Sequence, residues 1–134
     1  MVSKTPRLWV ARSAPQPANA YYSQVARVEL PGGGVLLYVS GQVADGADLA
    51  TQSRGVFETI AALLHAHGAT LADVINIRTY LTDIDRLGEY AAVRREFLTG
   101  TVPTSMTFEV SRLFAPDALV EVEVVAAVGA RPEV

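Results

Sequence analysis

Two carboxylates stand two residues apart in the segment VEVEVV: Glu121 and Glu123. Side chains on a strand alternate between faces, so this spacing puts both on one face. Paired carboxylates divide general acid and general base work when their surroundings push their pKa values apart. A solvated strand face, or pairing with Arg78 or Arg112, accounts for the same spacing without chemistry. The remaining candidates are weaker. His65 and His67 lie two apart on a predicted helix and point in different directions, so one metal cannot easily take both; a helix C-terminus, which favours imidazolium, explains them more simply. Gly32-Gly33-Gly34 follows Pro31 between two predicted strands and lacks the Lys-Ser/Thr of a P-loop, so it reads as a turn. Ser105 has no histidine placed to activate it and no nucleophile elbow around it.

The chain that must hold these groups has 134 residues, half of them apolar and 19% charged. These values favour one folded domain over residues 1–134 and argue against disorder. The apolar share is generous for a small monomer and points to further burial by self-association. The formal net charge is −3, with no run of Lys or Arg, so a nucleic-acid partner is not expected. Cysteine is absent, which removes disulfides, thiolate catalysis and cysteine-based metal sites. No apolar run is long enough to span a bilayer and the first residues lack a signal-peptide core. A cytoplasmic protein with no membrane partner and no cofactor is expected.

Hydrophobic periodicity then supplies the elements. A short strand over 7–12 precedes a Pro/Ala/Asn-rich stretch, and residues 1–20 as a whole read as an extended N-terminal segment. YYSQVARVEL (21–30) and VLLYVSGQV (35–43) flank Pro31-Gly32-Gly33-Gly34 as a hairpin. A helix runs from about Leu49 to His67, with Val56, Phe57, Ile60, Leu63 and Leu64 at helical spacing and Gly68 at its stop. VINIRTYLTD (74–83) is a strand in which Ile75, Ile77, Thr79 and Leu81 oppose Asn76, Arg78, Tyr80 and Thr82. A second helix covers about Arg86 to Leu98, capped by Asp83 or Asp85. Its buried side holds Leu87, Tyr90, Ala91 and either Val93 or Phe97. The segment after Pro103 and LVEVEVVAAV (119–128) are the last strands. The order β-β-β-α-β-α-β-β describes an α+β domain with both helices on one face of a single sheet. In this reading Met106, Phe108 and Val110 sit under the helices. Ser105, Thr107 and Glu109 share the other face with Asn76, Arg78, Tyr80, Glu121 and Glu123, and Leu36 and Tyr38 reach it from the hairpin.

Taken together, Tyr22 in YYSQ, Ser40-Gly41-Gln42 at the hairpin's end, Gly68 followed by DVINIRTYLTDID, Pro103 before a strand, and the closing VEVEVVAAV resemble the Rid family. This is also the YjgF/YER057c/UK114 family of small imine and enamine deaminases. The resemblance covers nearly the whole chain. It implies a chorismate-mutase-like fold, a homotrimer whose sheets form a central barrel, and small-molecule ligands in clefts between subunits. It also implies roles: Tyr22 as the pocket tyrosine, Glu121 as the pocket glutamate, and Gly41 as the backbone position after the hairpin serine.

Two anchors of that family pattern are missing here. Pro103-Thr104-Ser105-Met106 places Ser105 where the family carries a substrate-binding arginine, and the family's asparagine falls on Ala91. A bidentate arginine–carboxylate contact in a desolvated cleft is a strong anchor that serine cannot supply. Weak hydrolysis of ordinary 2-imino acids is therefore expected, by a loss on the order of 3 kcal/mol of transition-state binding. Arg78 or Arg112 could substitute, but each has Glu109, Glu121 or Glu123 to pair with. Two functions follow. One is a divergent enzyme with Glu121 as general acid/base and Tyr22, Ser105 and Thr107 as hydrogen-bonding groups. The other is a non-catalytic trimer that binds metabolites or a partner protein. Ribonuclease activity, sometimes attached to the family, fits the acidic balance least.

Overall fold

The computed structural model describes residues 7–11, for strand pairing alone, and residues 21–129; the expected extended stretch before residue 21 otherwise lies outside them. The elements are β1 (Arg7–Ala11), β2 (Val25–Glu29), β3 (Val35–Gln42), α1 (Leu49–His65), β4 (Val74–Leu81), α2 (Leu87–Phe97), β5 (Thr104–Glu109) and β6 (Val120–Val128). They form a six-stranded sheet in the order β1-β2-β3-β6-β4-β5. All pairs are antiparallel except β4–β5, which is parallel.

Local chemistry explains the joints. Gly32 and Gly33 adopt φ of 91° and 94°, a region closed to most side chains, and so turn β2 into β3. The Asp48 carboxylate accepts from the Thr51 N–H at 2.8 Å and starts α1. At the second helix the expected cap is displaced: Asp83 caps the short turn Ile84–Arg86, accepting from the Asp85 N–H at 3.1 Å, and α2 follows directly without a side-chain cap of its own.

The core lies between the sheet and the two helices. Val25, Leu37, Ile77, Leu81, Val120 and Val122 from the strands meet Val56, Phe57, Ile60 and Leu64 of α1, all fully buried. Phe57 stacks on Tyr90 and Phe97 of α2, with ring centroids 5.9 and 5.4 Å apart, joining the helices. The buried Gln52 amide ties α1 to the entry of β6. It donates to the Gly46 and Asp117 carbonyls at 3.0 and 3.1 Å and accepts from the Leu119 N–H at 2.8 Å.

Two strand phases differ from the sequence reading. A bulge in β4 between Val74 and Asn76 inserts one residue, so Val74 takes the buried place and Ile75 is exposed. In β5 the faces are reversed. Its parallel register sets Ser105 beside Ile77 and Thr107 beside Thr79, both core residues of β4, and sets Met106 beside Arg78 and Phe108 beside Tyr80. Ser105 and Thr107 therefore face α2. Met106 and Phe108, 44% and 45% exposed, lie on the open face, where Phe108 stacks against Tyr80 at 6.1 Å. An alternation of hydroxyl and apolar groups does not choose its face when the neighbouring face is itself mixed.

Candidate functional site

The strand pair β3–β6 builds one half of the site. Between Val39 and Gln42 the pairing slips, so Ser40 and Gly41 together oppose Glu123. The flanking polar groups hold this bulge. Ser40 Oγ donates to the Ser23 carbonyl at 2.6 Å, and Gln42 Nε2 donates to Gln24 Oε1 at 2.7 Å and to the Ser40 carbonyl at 2.9 Å. Gly41 supplies room: a Cβ there would overlap the Glu121 carboxylate. The Ser-Gly-Gln segment thus places a bare stretch of backbone against one acid of β6.

The two glutamates differ sharply. Glu123 accepts from the Tyr80 hydroxyl at 2.7 Å and lies 3.9 Å from Arg78 Nη1, a loose ion pair. Glu121 shows neither a hydrogen bond nor an ion pair among the described residues, and burial, followed by the neighbouring Glu123 charge, holds its carboxyl above the usual range. A raised acid of this kind can both give and take a proton nearer neutrality. Arg112 makes no ion pair among the described residues.

Tyr22 and Arg78 line a cavity of about 630 Å³ on the open face, with Tyr38, Ser40, Asn76 and Glu123. Glu121 and Gly41 are not part of its wall. Ser105 and Thr107 are not there either. They lie across the sheet, where Ser105 Oγ accepts from Arg94 Nη1 at 3.1 Å and Thr107 lines a groove against α2. A single chain therefore brings Gly41 to Glu121 and Tyr22 to Arg78, but keeps Ser105 and Thr107 apart from both.

The sequence reading missed Arg94. The signal was present: Leu87, Ala91, Arg94 and Leu98 recur at helical spacing, so Arg94 had to share the side of α2 that faces β5. The histidines form no site, and no group of three or more potential metal ligands occurs among the described residues. The expected preference of His67 for its charged form is reversed, since burial, followed by the charge of Arg27, lowers its pKa. Arg27 Nη1 donates to the His67 carbonyl at 3.1 Å.

The sequence model of the family described as endoribonuclease L-PSP matches residues 11–128. A RutC family protein of Sulfurisphaera tokodaii is 33% identical over 124 residues, 87% of this chain and 94% of that protein. A solved YjgF/YER057c/UK114 protein from Mycobacterium tuberculosis superposes with a TM-score of 0.77 at 35% identity, covering 92% of this chain and all of the other. E. coli TdcF, solved with bound serine, superposes at 0.72 with 26% identity, covering 84% of this chain and 91% of its own. Extent, identity and topology agree, and the chain belongs to the YjgF/YER057c/UK114, or Rid, family.

Proposed function

We propose that this chain is an enzyme acting on a small reactive metabolite, an imine, enamine or enol-like compound, in clefts between the subunits of a homotrimer. The observation that carries the reading is Glu121: half-buried, raised in pKa, without an arginine or hydrogen-bond partner among the described residues, and set against Gly41, where no side chain intervenes. In hydrolysis, the Glu121 carboxylate takes a proton from water as the oxygen adds to the C=N carbon and the nitrogen gains a proton from solvent. The resulting carbinolamine collapses: its hydroxyl proton passes to solvent as the C=O forms, the C–N bond breaks, and Glu121 returns its proton to the departing ammonia. In tautomerisation the same carboxylate carries the proton between carbon and nitrogen or oxygen. Tyr22 and the backbone at Gly41 orient the substrate. Ser105 and Thr107 lie on the opposite side of the sheet from Glu121, so they can join it only from a neighbouring copy, which is what an inter-subunit cleft provides. The exposed Tyr38, Met106 and Phe108 give the open face apolar area for such an assembly.

Serine in bound TdcF supports a small polar ligand, and the net charge of −3 without a basic stripe favours metabolites over RNA. Because Ser105 carries no charge, ordinary 2-imino acids should be poor substrates. The test is ammonia release from freshly generated imino acids by the wild type, Ser105→Arg and Glu121→Gln. Slow wild-type release, lost in Glu121→Gln and raised in Ser105→Arg, supports the reading. Efficient wild-type release overturns the proposed departure from ordinary 2-imino acids and favours a retained deaminase in which another residue replaces the arginine.

A second reading has its own observation. The larger cavity is walled by Glu123, tied by Tyr80, and not by Glu121. A trimer that binds metabolites there without turning them over would saturate with ligand and yield no product.

A further inference from the structure

The two acids of β6 meet two residues of β4 in a definite register. Tyr80 lies directly across from Glu121, and Arg78 directly across from Glu123. The bonds do not follow that register. The Tyr80 hydroxyl passes over its own partner and donates to Glu123 Oε1 at 2.7 Å, while Arg78 Nη1 stays 3.9 Å from the same oxygen. Phe108 stands beside Tyr80 on β5 and stacks on its ring, with centroids 6.1 Å apart and planes 24° from parallel, so the ring is held from the side away from β6. The hydrogen bond to Glu123, followed by burial, raises the Tyr80 pKa, and the hydroxyl remains a donor through neutral pH. Tyr38 of β3 shares this face, and Tyr21 and Tyr22 join it at the cavity wall, but Tyr80 is the one that opposes Glu121 in register. Cross-strand contacts are closest between residues directly opposite. That rule does not account for a tyrosine that gives a second partner to Glu123 and leaves Glu121 with none among the described residues.

We propose that Tyr80 is a positioning residue for Glu121: by giving its hydroxyl to Glu123 it leaves the acid opposite it without a donor and holds a negative charge two residues away, so the proton shared by the pair resides on Glu121. Given the proposed role of Glu121 as proton carrier, on which this inference rests, Tyr80 and Glu123 decide how tightly that proton is held. Removing the Glu123 charge has three consequences, all in one direction. The repulsion between like charges ends, Arg78 loses its anion, and no charged acceptor draws the Tyr80 hydroxyl away from Glu121. Each favours the Glu121 carboxylate. Burial, the larger cause of the raised Glu121 pKa, is untouched, so part of the rise persists. Removing the Tyr80 hydroxyl instead lets both acids compete for one proton.

The test is a pH titration of the full chain, labelled with ¹³C at the glutamate side-chain carboxyls and followed by NMR, with the Glu121 signal assigned from its loss in Glu121→Gln. Glu123→Gln should move the Glu121 midpoint down by about half a pH unit. Tyr80→Phe keeps the ring against Phe108 and should broaden the Glu121 curve into two steps, as the first proton divides between the acids. Glu58→Gln, on the exposed side of α1, removes a charge elsewhere and should leave the midpoint within about 0.1 pH unit. In ammonia release, the acid limb of kcat/KM should move down in Glu123→Gln by the same amount as the midpoint. An unchanged Glu121 curve in either Glu123→Gln or Tyr80→Phe overturns the inference, whatever the turnover, and reduces the Tyr80–Glu123 bond to a tie between strands. Both changes in a chain that turns over no imine would support the role of Tyr80 and overturn the catalytic reading of Glu121.

Discussion

At the scale of single residues, position within one strand separates two identical acids. Glu121 and Glu123 share a face and a chemistry, yet Tyr80 and Arg78 occupy one and leave the other. Glu121→Gln should lower any turnover by about 10² to 10⁴-fold, the usual range for losing a general acid/base, measured as kcat/KM. Its stability effect has a definite sign. The folded-state pKa of Glu121 lies above 4.5, so its contribution to stability is fully present below the unfolded value and lost as pH rises through the folded one. Glu121→Gln should therefore raise Tm at pH 7, on the order of 2 °C for a half-exposed group, and lose that advantage near pH 4. Gly41→Ala probes the same contact from the other side. The carboxylate can swing away from a new methyl, so the fold should lose less than about 1 kcal/mol, while turnover and the titration of Glu121 should both change. Loss of stability with unaltered Glu121 titration would contradict the assigned role of Gly41.

At the scale of elements, the sheet carries the site and the helices hold the sheet. Gln52 is the clearest fastening because one buried amide satisfies two carbonyls and an N–H from the segments before α1 and β6. Gln52→Ala should cost about 2 to 3 kcal/mol, since buried partners lose bonds that water cannot easily replace. Urea denaturation should show a lower midpoint with an unchanged m-value. The bulge in β3 is an element-level device with a residue-level purpose. Ser40 and Gln42 hold the kink by hydrogen bonds, and the glycine between them passes the acid of β6. Ser-Gly-Gln at the hairpin's end was marked by the family resemblance, but neither the bulge nor the partner of Gly41 was readable, because β3 and β6 are joined only by tertiary pairing.

At the scale of the whole molecule, the open face of the sheet is the feature to explain. Tyr38, Met106 and Phe108 are about half exposed there, next to Arg78 and Glu123. A homotrimer that encloses this face would bury them and bring the Ser105 side of one copy toward the Glu121 side of another. Sedimentation equilibrium of the wild type should give the mass of three chains. Tyr38→Glu combined with Phe108→Glu should shift the population toward monomer at micromolar concentration, since buried unpaired carboxylates are strongly disfavoured. A wild type that sediments as a monomer would remove the cleft and with it the proposed meeting of Ser105 and Glu121.

By itself the sequence determined the element order, the glycine turn, the two helices and the alternating face of β6, because each depends on periodicity or backbone freedom within a few residues. It also marked Glu121, whose spacing from Glu123 and place in VEVEVV needed no coordinates. Only the tertiary structure decided which face of β5 meets the helices. Its hydroxyl and apolar sets compete nearly evenly, and the outcome turns on parallel register with β4 and on Arg94 arriving from α2 to meet Ser105. It alone supplied the physical difference between Glu121, singled out by family resemblance, and Glu123, since that difference lies in a tyrosine and an arginine more than 40 positions away along the chain. Contacts between residues distant in sequence follow from packing, and packing leaves little trace in local pattern.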